Sequence, residues 1–349
     1  RRTRYWKLSA NAFLPPEPTA AVIMSASMKI DPHHALYQST GAVITLQQLL
    51  VQRYAAKTLE YLSHSRSVAG ISGLHLSKMR GRGIDFEEFR PYQAGDDIRL
   101  IDWRVTARTN RPFTKVFREE RERPVIIAVD QTHNMYFGSQ VAFKSVIAAQ
   151  AAAVLCWLAI DNGDRVGGLV FSDTESALVR PKRSRRSALH LLNQVFTYNQ
   201  KLQTVKDPES QVPLSEDFKP GLAHALGQIR RITKPGSTLY VISDFATLDA
   251  TALQYLNQLA RHNNVICCCV YDALEETLPV PGVYSITDGA RKGALNTHSN
   301  KARIRYRENF NHRMESLATD LDQLRIGLIK IRTNELVVER IRQWIMKNS

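Results

Sequence analysis

Cysteine is scarce in this chain: there are four in 349 residues, and three of them are consecutive at Cys267, Cys268 and Cys269. No CxxC pair and no even spacing results, which excludes a disulfide framework of the secreted type and points to a reducing compartment, expected to be the cytoplasm. The triplet lies in an apolar run, so in a strand its side chains alternate between faces and cannot converge on one redox centre; they read as buried structural thiols. Long hydrophobic runs are also lacking. The longest strongly apolar stretch, residues 151–160, is about half of the ~18–20 residues that a membrane-spanning helix needs, and no bilayer-spanning segment is expected. There is no Gly-x4-Gly-Lys-Ser/Thr phosphate loop and no Gly-x-Gly-x-x-Gly after the first strand, so neither ATP hydrolysis nor dinucleotide binding is expected of this chain. The histidines form no HxxxH or HxH pair suited to zinc. Acids are outnumbered, 33 Asp and Glu against 47 Lys and Arg, giving a formal net charge of +14. That excess favours acidic partners without identifying one, and nucleic acid is among them.

Apolar residues at 44% and charged residues at 23% are near globular averages, and the length suits two domains or one with an elaboration. Four regions follow from the texture. Residues 1–27 lack periodicity and read as a tail, an expression remnant or over-extended translation ahead of Met28. Residues 28–66 form an N-terminal helical segment, in which Leu46, Leu49, Leu50, Tyr54 and Leu62 recur at helical spacing within 44–62. Residues 67–123 are punctuated by glycines and carry short runs such as 71–76 and 98–103, which read as strands and turns of a small β-rich element.

Residues 124–349 alternate compact apolar runs with longer helical patterns. Strands are expected at 125–129, 165–171, 238–243, 265–270, 283–286 and 328–331. Helices are expected at 143–162, 185–198, 222–232 and 251–262. A further helix carries Tyr306, Phe310, Met314, Leu317, Leu321 and Leu324 and stops at Gly327, and a last one is capped by Asn334. Strands apolar on both faces, joined by helices, imply an α/β fold: a mainly parallel sheet with helices on both faces. In such sheets ligands bind beyond the carboxyl ends of the strands. Two acids stand there, Asp130 and Asp244.

Asp130 opens the run Asp130-Gln131-Thr132-His133-Asn134, which places side-chain oxygens at positions one, three and five. Alternate residues of a tight loop can converge, and a hard cation such as Mg²⁺ accepts one or two carboxylates with neutral oxygens and waters. Asp130, Thr132, Asn134 and Asp244 are therefore candidate metal ligands. The alternative is that both acids cap the turns and helices that follow them.

One segment carries a family likeness. It runs Gly81, Gly83, Arg90, Tyr92, Gly95, Asp96, Asp97, Arg99, Asp102, Trp103 and Arg108, and it is joined by VISDF at 241–245 and YDALEETLP at 271–279. This pattern, over roughly residues 62–349, resembles the domain-of-unknown-function 58 family, whose members are similar to von Willebrand factor A domains and are commonly found beside MoxR-type AAA+ ATPases. The resemblance implies a von Willebrand factor A-like, Rossmann-like sheet preceded by a small β-rich element. It also implies a metal-ion-dependent adhesion site of the form Asp-x-Ser-x-Ser with a Thr and an Asp from other loops. Here Asp130 and Asp244 match the acids, Thr132 and Asn134 replace the serines, and the Thr is missing: Phe218-Lys219-Pro220-Gly221 stands in its place, with Ser215 the nearest upstream hydroxyl. Lys219 would oppose a cation.

The functional expectation is a non-enzymatic interaction module that works with a MoxR-type ATPase on an unknown client protein, through a strand-end site able to hold Mg²⁺. Two alternatives are a metal-dependent hydrolase of phosphate-containing substrates and a basic nucleic-acid-binding protein. The acids between Gly95 and Trp103 have no nucleophile with an adjacent base, so they read as a turn and ion-pair network. The cluster Arg180, Lys182, Arg183, Arg185 and Arg186 reads as a solvated helix start.

Overall fold

A computed structural model of the chain describes residues 7–8, 39–65, 85–93, 96–118, 124–204, 221–287 and 292–348. Two units emerge, residues 74–123 and residues 1–73 with 124–349. In chain order the elements begin with β1 (Lys7–Leu8), α1 (Leu46–Ser65), β2 (Asp85–Pro91), α2 (Trp103–Thr109), β3 (Phe113–Arg118), β4 (Pro124–Asp130) and α3 (Lys144–Asp161). They continue with β5 (Arg165–Phe171), β6 (Ser176–Lys182), α4 (Arg185–Thr204), α5 (Leu222–Ile232), β7 (Thr238–Ser243), α6 (Ala250–Ala260) and β8 (Asn264–Tyr271). The last are α7 (Ala273–Glu276), β9 (Val283–Thr287), β10 (Lys292–Asn296), α8 (Asn300–Gln323), β11 (Gly327–Arg332) and α9 (Val337–Asn348).

The larger unit is an α/β domain around a six-stranded sheet of order β11-β8-β7-β4-β5-β6. All neighbours are parallel except β6, which runs antiparallel along β5 at the edge. The strands are apolar on both sides because both sides are covered. Val125, Ile127, Val129 and Cys268 face a core built with α1, α3, α4 and α9. Ile126, Ala128, Cys267 and Cys269 face a second core built with α5, α6 and α8. The cysteine triplet is thus split between the two faces, and burial pushes the Cys268 and Cys269 thiols up to about 12. At Gly168 a Cβ would lie 2.2 Å from the Ile127 carbonyl oxygen and 3.0 Å from Leu191, so the close seating of α4 on β5 requires glycine there.

Several elements differ from the sequence expectation. The apolar stretch around 151–160 is part of a longer helix: α3 has 18 residues with mean hydropathy 1.4, enough by length and composition to cross a bilayer, yet 89% of it is buried in the core. Its alanines let α1 approach closely, and Trp157 Nε1 donates to the Leu49 carbonyl at 3.1 Å. On α1 the buried face is Leu49, Ala55, Ala56 and Leu59, while Leu46, Leu50 and Tyr54 are exposed. Small and large residues share the inward face, Ala55 and Ala56 between Leu49 and Leu59. The helical segment at 28–66 therefore contributes α1 to the α/β core.

Residues 98–103 are not a strand but a 3-10 turn, Ile98–Leu100, followed by the start of α2. The strands β6 and β10 were not foreseen: β6 carries Arg180, Pro181 and Lys182, which mask its alternation, and β10 pairs with β9 in a separate small sheet that β1 also joins. Helix α8 ends at a Leu324 C-cap with Arg325 at φ +56°, and Gly327 opens β11. Asn334 does not cap α9; its amide donates to Gln140 Oε1 at 2.8 Å. The smaller unit holds the antiparallel pair β2–β3, with α2 in the connection between them.

Candidate functional site

The chain leaves β4 for β5 on one side and later returns for β7 on the other, so the carboxyl ends of β4 and β7 flank the point where the sheet's connections reverse direction. Asp130 ends β4, and Asp244 follows directly on β7. Both are buried, and the strand ends are tied together: Ser243 Oγ, one residue before Asp244, donates to Asp130 Oδ2 at 2.6 Å. Asp130 Oδ1 accepts from Thr132 Oγ1 at 2.7 Å and from the Thr132 N–H at 2.9 Å. The expected pair of acids and the hydroxyl of Thr132 therefore do share one crevice. Asn134 lies half-buried in a one-turn 3-10 helix, His133–Met135, and no hydrogen bond joins it to the acids among the described residues.

The turn after β7 is strained to make this possible. Phe245 sits at φ +53°, a left-handed conformation unusual for an aromatic residue; its buried side chain and the bond from its N–H to Ser243 Oγ at 3.1 Å hold it there. The Ala246 N–H then reaches back to Asp244 Oδ1 at 2.9 Å.

The central group of the crevice was not among the sequence candidates. Lys144, the first residue of α3, is buried, and its Nζ donates to Asp244 Oδ2 at 2.7 Å and to Glu275 Oε1 at 2.9 Å. Glu275 comes from α7, in the loop beyond β8, where Asp272 and Glu275 form a capping box: the Asp272 N–H donates to Glu275 Oε2 at 3.0 Å, and Asp272 Oδ1 accepts from the Leu274 N–H at 2.9 Å. Asp272 Oδ2 also accepts from the Ser139 N–H at 3.0 Å and from Thr333 Oγ1 at 2.6 Å, which joins the loops after β4, β8 and β11. Four acids thus line the strand ends, each hydrogen-bonded by the chain itself.

The electrostatics follow. Burial would by itself pull the Lys144 ammonium down, but Asp244 and Glu275 outweigh it and raise its pKa above the ordinary lysine value. Burial would likewise raise Asp244, yet Lys144 holds it below the usual carboxylate range. Among the described residues no cation is paired with Asp130: burial first, and then the negative charge of Asp244, push it up to about 7 against the bonds from Ser243 and Thr132.

These donors do not fit a Mg²⁺ site. Such an ion needs near-octahedral oxygen ligation at about 2.0–2.1 Å. Here one Asp244 oxygen is taken by an ammonium and the other by a backbone N–H, and both Asp130 oxygens are engaged by Thr132 and Ser243. Among the described residues no group of three or more His, Cys, Asp or Glu is placed to hold a metal ion. Ser215, Phe218, Lys219 and Pro220 lie outside the described residues, as do Gly81, Gly83 and Gly95.

The remaining motif residues act locally within the smaller unit. Arg90 bonds Asp96 at 2.7 Å, and the Tyr92 N–H donates to the Pro112 carbonyl at 2.8 Å. Asp97 caps the 3-10 turn through the Arg99 N–H, and Asp102 caps α2 while pairing with Lys115 at 2.9 Å. The side chains of Arg99, Trp103 and Arg108 are exposed. The basic cluster from Arg180 to Arg186 is likewise exposed, spread along the edge strand β6 and the start of α4.

A mostly parallel sheet covered on both faces, with acids at its strand-end switch point, defines the class: a doubly wound α/β domain, in a chain that also holds a small β-rich unit. The model of the family described as protein of unknown function DUF58 matches residues 88–316, and this chain belongs to that family. It is 28% identical over 245 residues to the uncharacterized protein Rv1480 of Mycobacterium tuberculosis (strain ATCC 25618 / H37Rv), covering 70% of this chain and 73% of that protein. Solved structures similar to it include the conserved hypothetical protein BatB from Bacteroides thetaiotaomicron, 16% identical with a TM-score of 0.36, covering 65% of this chain and 98% of that one. Another is a von Willebrand factor type A protein from Catenulispora acidiphila, 13% identical with a TM-score of 0.34, covering 68% and 44% of the two chains.

Proposed function

We propose that this chain is a non-enzymatic protein-interaction module that works beside a MoxR-type AAA+ ATPase in the assembly or maturation of other proteins. The observation that carries the reading is the state of the strand-end acids. Asp130, Asp244, Asp272 and Glu275 are buried and held by donors of the chain, so they fasten the loops after β4, β7, β8 and β11 into one rim. A rim braced in this way presents a preorganised surface, which lowers the ordering cost of docking. The groups it offers to a partner include exposed Asp173 and Thr247, with His133 half-buried and its N–H bonded to Asp173 at 2.6 Å. Membership of the DUF58 family supports the pairing with a MoxR-type ATPase through the likeness described above. Four free, buried thiols suit a reducing compartment, and the cytoplasm is the proposed location.

Co-purification of the full chain with the MoxR-type ATPase tests this. Complex formation should weaken when Asp173→Arg and Thr247→Arg alter the rim, and should persist when Arg180 and Arg183, towards the end of β6 away from the Asp173 turn, are changed to Ser. Hydrolysis of phosphate esters by the pure chain in Mg²⁺ or Mn²⁺, abolished by Asp130→Asn, would replace this reading with the hydrolase.

A further inference from the structure

Three carboxylates, Asp130, Asp244 and Glu275, are buried at neighbouring strand ends, and buried acids in such numbers require positive charge. Lys144 supplies it from an unfavourable position. A cation in the first turn of a helix opposes the helix dipole, and α3 has no acid in its first turn to compensate. Lys144 is 1% exposed, and Ser145, Val146 and Ile147 beside it are also buried. What keeps it there is the pair of short bonds to Asp244 and Glu275, on loops 100 and 131 positions further along the chain, with the Phe137 ring centroid 6.0 Å from Nζ. The ammonium thus stands between the loops after β7 and β8 and is anchored to the start of α3, which follows the loop from β4. Of the candidate metal ligands, Asp244 is the one the ammonium engages directly, and Asp130 is tied to the same strand end through Ser243.

We propose that Lys144 is the resident cation of this site: its ammonium takes the place of a divalent metal, and the strand-end loops of this chain are held together without one. The substitution is covalent and permanent, so the site is loaded as soon as the chain folds and cannot be emptied by a chelator. Because Asp244 and Lys144 are buried, no coordination position is left open for a partner's carboxylate, in contrast to an adhesion-type metal bridge.

The test compares the full-length wild type with Lys144→Ala by thermal unfolding in excess EDTA, MgCl2 or MnCl2, and by electron paramagnetic resonance of added Mn²⁺. The wild type should melt at one temperature in all three solutions and bind no stoichiometric Mn²⁺. Lys144→Ala should melt roughly 10 °C lower and recover part of the loss in MnCl2, a recovery that Asp244→Asn added to it removes. One Mn²⁺ bound per wild-type chain and lost in Asp130→Asn would overturn the proposal. So would a fall in wild-type melting temperature with EDTA, or a Lys144→Ala protein that melts as the wild type does. If Lys144→Ala fails to fold, the wild-type measurements decide alone.

Discussion

Lys144 and Asp244 are 100 residues apart in the chain, yet Nζ and Oδ2 lie 2.7 Å apart in a buried contact. Removing one member leaves the other charged and unpaired in a poorly solvated site, whereas removing charge from all members does not. Lys144→Met should therefore cost about 3–5 kcal/mol by urea denaturation at neutral pH. Adding Asp244→Asn and Glu275→Gln should recover a large part of that loss. Equal stability of the single and triple variants would show that the ion pairs are not the source of the cost.

Asp130 makes stability depend on pH in the opposite sense to most carboxylates. Folded, it holds its proton up to about pH 7; unfolded, an aspartate releases it near about 3.9. Between those values the folded state binds more protons, so stability falls as pH rises, by up to about 1.4 kcal/mol per pH unit. Asp244, lowered by Lys144, works the other way and loses its contribution only as pH falls towards its folded value. Lys144 contributes fully below the ordinary lysine range and loses its share as pH rises beyond it. Wild type should thus gain stability relative to Asp130→Asn on acidification from pH 7 to about pH 5. Parallel stability curves for the two proteins would count against the raised Asp130.

Gly168 faces Ile127 across the β4–β5 ladder with no space for a methyl group. Gly168→Ala must push β5 away from β4 or displace Leu191, at a cost of at least about 2 kcal/mol. Calorimetric unfolding would reveal it, and a melting temperature equal to wild type would contradict the packing described.

The thiols should be silent in the native protein. Cys156, Cys267, Cys268 and Cys269 are buried, and burial raises all four, three of them to about 12. Ellman's reagent at pH 8 should label none of them until denaturant is added. Fast labelling of any one in the folded chain would mean that its face of the sheet opens.

The alternation of strands and helices was legible because both faces of the sheet are covered, which leaves runs such as 125–129 and 238–243 uniformly apolar. Asp130 and Asp244 were legible for the same reason, as acids that abruptly end such runs. Lys144 was not. A single cation at the head of an alanine-rich helix looks like a solvated end, and nothing nearby in the sequence reveals carboxylates that arrive from 100 and 131 positions away. Glu275 could have been noticed: Asp272 and Glu275 have capping-box spacing directly after an apolar strand, inside the YDALEETLP run. Of the large apolar residues whose spacing marked α1 as a helix, Leu49 faces the core, whereas Leu46, Leu50 and Tyr54 are exposed and Ala55 and Ala56 are buried instead, small residues that a pattern of large side chains does not reveal.

The edge strand β6 has a bearing on how copies of this chain meet. It runs against its neighbour's direction, its register shifts between Val166 and Gly168, and it carries Arg180, Pro181 and Lys182. Proline offers no amide hydrogen, and adjacent like charges repel a second identical strand. Sideways polymerisation through this border is thereby discouraged, and a concentrated population of these molecules is kept from zipping into fibres along it.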